Sequence, residues 1–415
     1  MADGNGTGVP TGPASGLRRD GTAGIVGGSL VAALAAYAFL QGAARLLGAD
    51  RFAAISALWT IQFLAMAVAL LPLEQMVIRD RSLRSGRGTT AAIAVTAAAT
   101  LIATGYAYLN VDTLFAGESV YVLLTGVGVV AMAGFALARG ELAGRLRYRD
   151  YGLVTGGQAV LRLVAGLGLI ALTDSAVGGG WAIVLSPLVV LLWWPRRSEK
   201  NASGERDRPG AFLTGFLLAN GAAQVILVAG PLAVERLGGA PAAVSVLFVT
   251  LTLFRAPLAV ANNVLARLLP PFAAMAADGL HHRLRLWSRR LAGLAGAAAA
   301  LALGLGAWLG PGLTAVLFGS DFRPAAATAA FIAAGSVLAT GSSFANQILV
   351  ALGATWRLAA AWLIGLAAAV VVLAAVDGEP APRVAAAFLA GEAAALVGIT
   401  AQVHLNVRRT AGLSG

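Results

Sequence analysis

Apolar runs separated by short polar segments recur along the whole chain, and their length decides the fold class. A helix needs about 20 apolar residues to cross the hydrocarbon of a bilayer. Twelve runs of that kind are marked out, over 23–47, 52–78, 89–109, 118–138, 151–173, 179–195, 210–234, 242–270, 291–318, 325–352, 356–376 and 384–407. The pattern predicts an all-α polytopic membrane protein. The longest polar linker, Arg196–Pro209, follows the sixth run and splits the chain into two sets of six. The expected organisation is a disordered cytoplasmic tail over 1–21, a six-helix lobe over 22–195, a cytoplasmic linker over 196–209, a second six-helix lobe over 210–407 and a tail over 408–415.

The halves echo each other. Leu47-Gly48-Ala49 leads into Ala53-Ala54-Ile55-Ser56 and Trp59-Thr60, and Leu237-Gly238-Gly239 leads into Ala242-Ala243-Val244-Ser245 and Val249-Thr250. An even number of spans per half makes this a parallel repeat about an axis along the membrane normal, with the two pseudo-symmetric lobes facing a central cleft.

Charge sets the orientation. With the N-terminus in the cytoplasm, cytoplasmic segments hold 22 of the 30 Lys and Arg residues. The outer loops hold only Arg51, Arg236, Arg323 and Arg383. Arg45, Arg162, Arg255 and Arg267 fall within the runs. That asymmetry obeys the positive-inside rule and would vanish if one span were missed, so both termini are expected in the cytoplasm.

Composition narrows the classes further. A mean hydropathy of +0.80, with 58% hydrophobic and 12% charged residues among 415, excludes a soluble protein. The net charge of +11 is spread between apolar runs instead of forming one nucleic-acid-binding patch. There is no cysteine, which excludes disulfides and thiolate metal sites. His281-His282 has no acid at ligand spacing, and Gly166-Leu167-Gly168 and Gly304-Leu305-Gly306 lie inside apolar runs as packing glycines. No phosphate-binding loop is present, so no cofactor is expected and no ATP hydrolysis by the chain itself.

The stretch Ser245–Pro271 stands out because Arg255, Pro257, Asn262, Asn263 and Arg267 interrupt an otherwise apolar run. An ionisable residue within a span is a functional candidate by default. Arg255 and Asn262, seven residues apart, fall on nearly one helical face, and Pro257 predicts a kink beside the charge. The segment is expected to line a wet, cationic cavity that carries an anionic lipid headgroup.

Two local patterns carry a family resemblance. One is Leu137-Ala138-Arg139-Gly140-Glu141-Leu142-Ala143-Gly144-Arg145-Leu146-Arg147-Tyr148, followed by Leu161-Arg162-Leu163. The other is Val228-Ala229-Gly230-Pro231-Leu232 with Leu253-Phe254-Arg255-Ala256-Pro257. With the twelve-span plan, the chain resembles the polysaccharide and O-antigen flippases of the multidrug/oligosaccharidyl-lipid/polysaccharide exporter superfamily over nearly all of 22–407. The peptidoglycan-precursor flippases of that superfamily are usually longer by two spans and fit less well. The resemblance implies a non-enzymatic transporter moving an undecaprenyl-pyrophosphate-linked oligosaccharide to the outer leaflet of the cytoplasmic membrane. It implies membrane lipids and polysaccharide polymerase or ligase machinery as its surroundings.

On that reading Arg255 and Arg162, both near mid-membrane, contact the pyrophosphate through bidentate guanidinium forks, the alternative being a buried ion pair or capped carbonyls. Arg45 and Arg267 lie near span ends, where long side chains reach the interface. Glu74 is expected in an interfacial ion pair, with substrate contact the alternative. Glu392, near mid-depth in the last span, either neutralises an Arg or exchanges protons as a coupling site. Asn220 and Gln224, one turn apart, either contact sugar or hydrogen-bond between helices, and Asn346-Gln347 pose the same choice.

Two competitors stand beside this reading. A multidrug cation antiporter on the same scaffold would want acids in the first lobe, whose first, fourth and fifth runs have none at mid-depth. A membrane glycan polymerase, ligase or glycosyltransferase would want a large outer loop or a clustered acid/base site. The outer acids Asp50, Asp112, Glu118, Asp174, Glu235, Asp321, Asp377 and Glu379 are dispersed along the sequence.

Overall fold

The computed structural model describes residues 14–70, 72–74, 77, 88–145, 147–193, 210–256, 258 and 271–412. Among them there is no strand. The first lobe comprises α1 (Ala14–Ala65), a π-helical turn (Met66–Leu70), α2 (Gly88–Leu109), α3 (Val111–Phe115), α4 (Val120–Gly144), α5 (Tyr148–Thr173), α6 (Ala176–Leu185) and a 3-10 segment (Ser186–Trp193). The second comprises α7 (Gly210–Val228), α8 (Gly230–Arg236), α9 (Pro241–Phe254), α10 (His281–Phe318), α11 (Ala326–Ala351), α12 (Thr355–Ala375) and α13 (Pro380–Gly412).

Among the described residues eight helices are long and apolar enough to span a membrane, and the pair Leu218–Val228 and Gly230–Arg236, bent by 62°, makes a ninth if taken as one span. The bend falls at the Gly230-Pro231 step, where proline at the start of α8 suits a helix beginning and not a continuing one. The long α1 carries two crossings, because Gly48 (φ 72°, ψ 172°) takes a conformation open in practice only to glycine. Two shorter apolar helices, Ala176–Leu192 and Pro241–Phe254, lie where the sixth and eighth crossings were expected. Gly238 also has positive φ (76°), so the two glycines of the sequence echo make matching turns. Thr60 and Thr250 back-bond alike to the carbonyls of Ser56 (2.7 Å) and Val246 (2.6 Å).

Two boundaries differ from expectation. Helix α9 ends at Phe254, with Arg255 as its C-cap, short of the end expected for the eighth crossing, and residues 259–270 lie outside the described residues. The ninth begins at His281, so His281-His282 and the four arginines after them are helical. The arginines that follow α4 and those in the first turns of α10 and α12 lie at one end of the bundle, the basic end. The Gly48 turn, α3, α8 and Asp174 lie at the other, the acidic end.

Each lobe packs mainly on itself. In the first, α1 lies along α5, and in the second the α10–α11 and α12–α13 pairs join through α11–α13. One buried core belongs wholly to the second lobe. A second begins in the first lobe and crosses over to include Leu232, Phe248, Val249, Phe318 and Phe322. The principal contact between lobes is α1 against α9, the arms that follow the two glycine turns.

Candidate functional site

In the first lobe, Tyr151, Gln158 and Arg162 recur along α5 at spacings of seven and four, which places them on one face. Gln158 Nε2 donates to Ser186 Oγ at 3.0 Å. The Arg162 guanidinium lies over the Trp59 ring, 4.4 Å from its centroid, and Trp59 stacks on Phe39 at 6.1 Å. Arg162 is 9% exposed and its Nε has no hydrogen-bond partner. Among the described residues no carboxylate forms an ion pair with it. It lies about 16 Å along α5 from the acidic end, at about 1.5 Å per residue. A cation over a desolvated indole gains roughly 2 kcal/mol, far less than removing a guanidinium from water costs. Gln62, on the same arm as Trp59, is buried against Gly128 with its Nε2 unpaired.

In the second lobe, Arg255 caps α9, and its Nε donates to the Leu251 carbonyl at 3.1 Å. Glu392 is 1% exposed, and neither carboxylate oxygen has a hydrogen-bond partner. It shares a face of α13 with Phe388 and Leu396, which pack toward Gly335 and Gly341 of α11. Arg255 and Glu392 interact electrostatically, with no hydrogen bond between them. Arg162 and Arg255 thus each sit within their own lobe at similar depth.

The helix breaks at this depth match in the two halves. Regular helix in α1 gives way to the π-helical turn after Ala65, and α9 ends at Phe254, within a residue of the same distance past Gly48 and Gly238. π-Helical turns concentrate at functional sites. Asn220 Nδ2 donates to the Ala67 carbonyl inside that turn at 3.1 Å, a bond between lobes. Gln224 Oε1 is buried without a partner. Asn346 Oδ1 accepts from Trp362 Nε1 at 3.2 Å, so it hydrogen-bonds between helices.

At the basic end, Glu74 is 1% exposed and pairs with Arg139 (3.1 Å), while the Tyr151 hydroxyl donates to it (2.9 Å). Arg139 also hydrogen-bonds the Tyr151 oxygen and lies over the Phe135 and Tyr151 rings. The resemblance-bearing turn after the fourth span is therefore held to the second and fifth spans. Glu74 lies in a buried network and not at an exposed interface.

The acidic end is sealed. Phe52 meets Phe248 (6.0 Å) and Phe322 (5.8 Å), Phe318 meets Phe322 (6.4 Å), and Tyr37 meets Phe318 (5.6 Å). Ser245 Oγ donates to the Ala49 carbonyl at 2.6 Å. Gln41 Nε2 and Arg45 Nη2 donate to the carbonyls of Leu317 and Val316, both at 2.6 Å. Arg45, expected to reach for the interface, instead ties the first span to the C-terminal carbonyls of α10, where a cation also meets the negative end of the helix dipole. Five of the eight outer acids come together in space. Asp50, Asp112, Glu118, Asp174 and Glu235 line one cavity of about 520 Å³, because the helix ends that carry them meet where the lobes touch.

Asn262, Asn263, Arg267, Pro257, Trp194, the linker 196–209 and the terminal tails before 14 and after 412 lie outside the described residues. Trp59, Gln62, Tyr151, Gln158 and Ser186 were not singled out from sequence. The spacing of Tyr151, Gln158 and Arg162 on one face was the available signal.

No protein-family profile matches the chain. It is 29% identical over 235 residues to uncharacterized proteins of Mycobacterium bovis and Mycobacterium tuberculosis. That match takes in 52% of this chain and 51% of each relative, so the chain spans about half the length of the curated relatives it matches. Among solved structures it is similar to a multidrug resistance MATE family transporter of the MOP superfamily in an inward-facing conformation. That superposition has a TM-score of 0.68 at 13% identity, over 92% of this chain and 96% of the other. An outward-facing MATE transporter matches at 0.59 and 13% identity, over 95% and 97%. A MOP superfamily transporter from Pyrococcus furiosus, described as having a binding pocket of reverse polarity, matches at 0.58 and 12%, over 94% and 97%. The class the fold defines is thus a multi-pass membrane protein of the two-lobed MATE transporter architecture.

Proposed function

We propose that this chain is an alternating-access transporter, and that its substrate is an anionic, phosphate-bearing lipid-linked oligosaccharide. Arg162 carries the reading. It is a buried guanidinium at mid-depth, stacked on Trp59, with no carboxylate partner and no hydrogen bond from its Nε among the described residues. An uncompensated cation in such a place costs several kcal/mol unless an anion arrives. A planar fork held on an aromatic ring suits phosphate oxygens. Asn220, Gln224 and Gln62 supply amides for a glycan nearby, and Glu392 would take the coupling role in the second lobe. The sealed acidic end and the better fit to an inward-facing structure support loading from the basic end. Positive-inside charge makes that end cytoplasmic. On this reading the surroundings are the polymerase or ligase machinery that consumes the flipped lipid.

The test is flipping of a fluorescent undecaprenyl-pyrophosphate oligosaccharide in proteoliposomes. R162Q should slow it by at least tenfold at unchanged melting temperature, and full activity in R162Q would overturn the reading. A second reading, export of organic cations, is favoured by the buried carboxylate of Glu392, whose two oxygens have no hydrogen-bond partner among the described residues. Ethidium efflux by the wild type, with no lipid flipping, would establish it.

A further inference from the structure

The cavity at the acidic end is unlike the rest of the molecule. Five carboxylates line it (Asp50, Asp112, Glu118, Asp174 and Glu235), against one cation, Arg51. Arg51 is already committed to Asp174 at 3.0 Å, which leaves four carboxylates uncompensated within the lining. The neighbouring Arg236 does not supply the deficit, because its guanidinium lies over the Tyr106 ring at 5.4 Å. Glu235 is a second, independent observation. It is 9% exposed, lines the cavity, and its Oε2 has no hydrogen-bond partner. A carboxylate oxygen left dry and unpaired is costly, and a cation arriving in the cavity would relieve that cost.

The geometry selects the kind of cation. Among the described residues no three acidic or histidine side chains converge closely enough to hold a metal ion. The acids are instead spaced around a chamber of about 520 Å³, within the size range of small organic ligand sites. Apolar side chains line it as well, among them Val244 and the Phe115 and Tyr121 rings, which stack at 4.7 Å. Separate carboxylates for charged groups, with apolar surface between for methylenes, describe the complement of a linear polyamine. We propose that this cavity binds an organic polycation of the polyamine class at the junction of the lobes.

The lining has a mechanical consequence. Asp50, Asp112, Glu118 and Asp174 come from the first lobe, and Glu235 comes from the second. A polyamine joining them ties the lobes together at the sealed end and is lost when that end opens. It therefore stabilises the closed conformation in proportion to its preference for it. This site is independent of the substrate assigned to Arg162.

The experiment is titration calorimetry of the full-length purified protein with spermidine, and with MgCl2 at matched ionic strength. Saturable spermidine binding is expected. E235Q should weaken it about tenfold, since a charge-assisted hydrogen bond to a buried carboxylate is at stake. D377N, an exposed acid at the same end outside the cavity, should leave it unchanged. Should E235Q fail to fold, D112N/E118Q removes two exposed lining charges and should weaken binding at least threefold. Equal affinity in the lining variants, an equal response to magnesium, or no saturable binding would each overturn the proposal.

Discussion

Phe52 offers the sharpest test of how the sealed end is held. Its side chain is fully buried and belongs to the first lobe, but the two rings it meets, Phe248 and Phe322, belong to the second. Opening the acidic end separates it from both. A buried phenylalanine removes roughly 150–250 Å² from water, worth about 4–6 kcal/mol at ~25 cal/mol per Å². If about half of that burial is provided by the opposite lobe, Phe52→Ala weakens the sealed state relative to the open one by about 2–3 kcal/mol. The loss corresponds to a shift of roughly 30- to 150-fold in the closed-to-open ratio. The chain has no cysteine, so a single Val249→Cys reporter, fully buried in the same cluster, can be followed without background. Its modification by a polar maleimide should accelerate by that factor in Phe52→Ala and by less in Phe52→Leu. A rate within threefold of the parent, in protein that melts normally, would refute the assignment of this cluster as the seal.

Further outcomes follow from the same geometry. Replacing Glu392 by Gln removes the carboxylate whose charge acts on Arg255 and should lower the melting temperature. The double change with Arg255→Gln should recover much of that loss, and additive losses in thermal unfolding would show that the two charges do not compensate each other. Tyr151→Phe removes one donor to the buried Glu74 and should cost about 1–2 kcal/mol, whereas Arg139→Ala leaves that carboxylate unpaired and should cost ~3 kcal/mol or more. Gly48→Ala forces a Cβ into a backbone region that L residues avoid and should destabilise by about 1–3 kcal/mol, read as a lower melting temperature. Gly48→Ala melting as the wild type does would mean that the turn relaxes to another conformation.

The all-helical, multi-pass character was legible in the sequence because hydrocarbon thickness sets span length and polar segments between runs mark the turns. The repeat was legible for a similar reason: Gly48 and Gly238 stand where a backbone must turn with positive φ, a requirement local to the residue. Contacts between remote segments were not legible. Nothing near Arg162 in the chain reveals that Trp59 lies under it, and nothing near Arg45 reveals the carbonyls of Val316 and Leu317. Nor does the spacing of five acids along the outer loops show that they surround one chamber. Periodicity determines which face a side chain occupies on its own helix. Which helix lies opposite depends on the packing of whole lobes, a choice made by many weak apolar contacts at once and written in no single stretch of the chain.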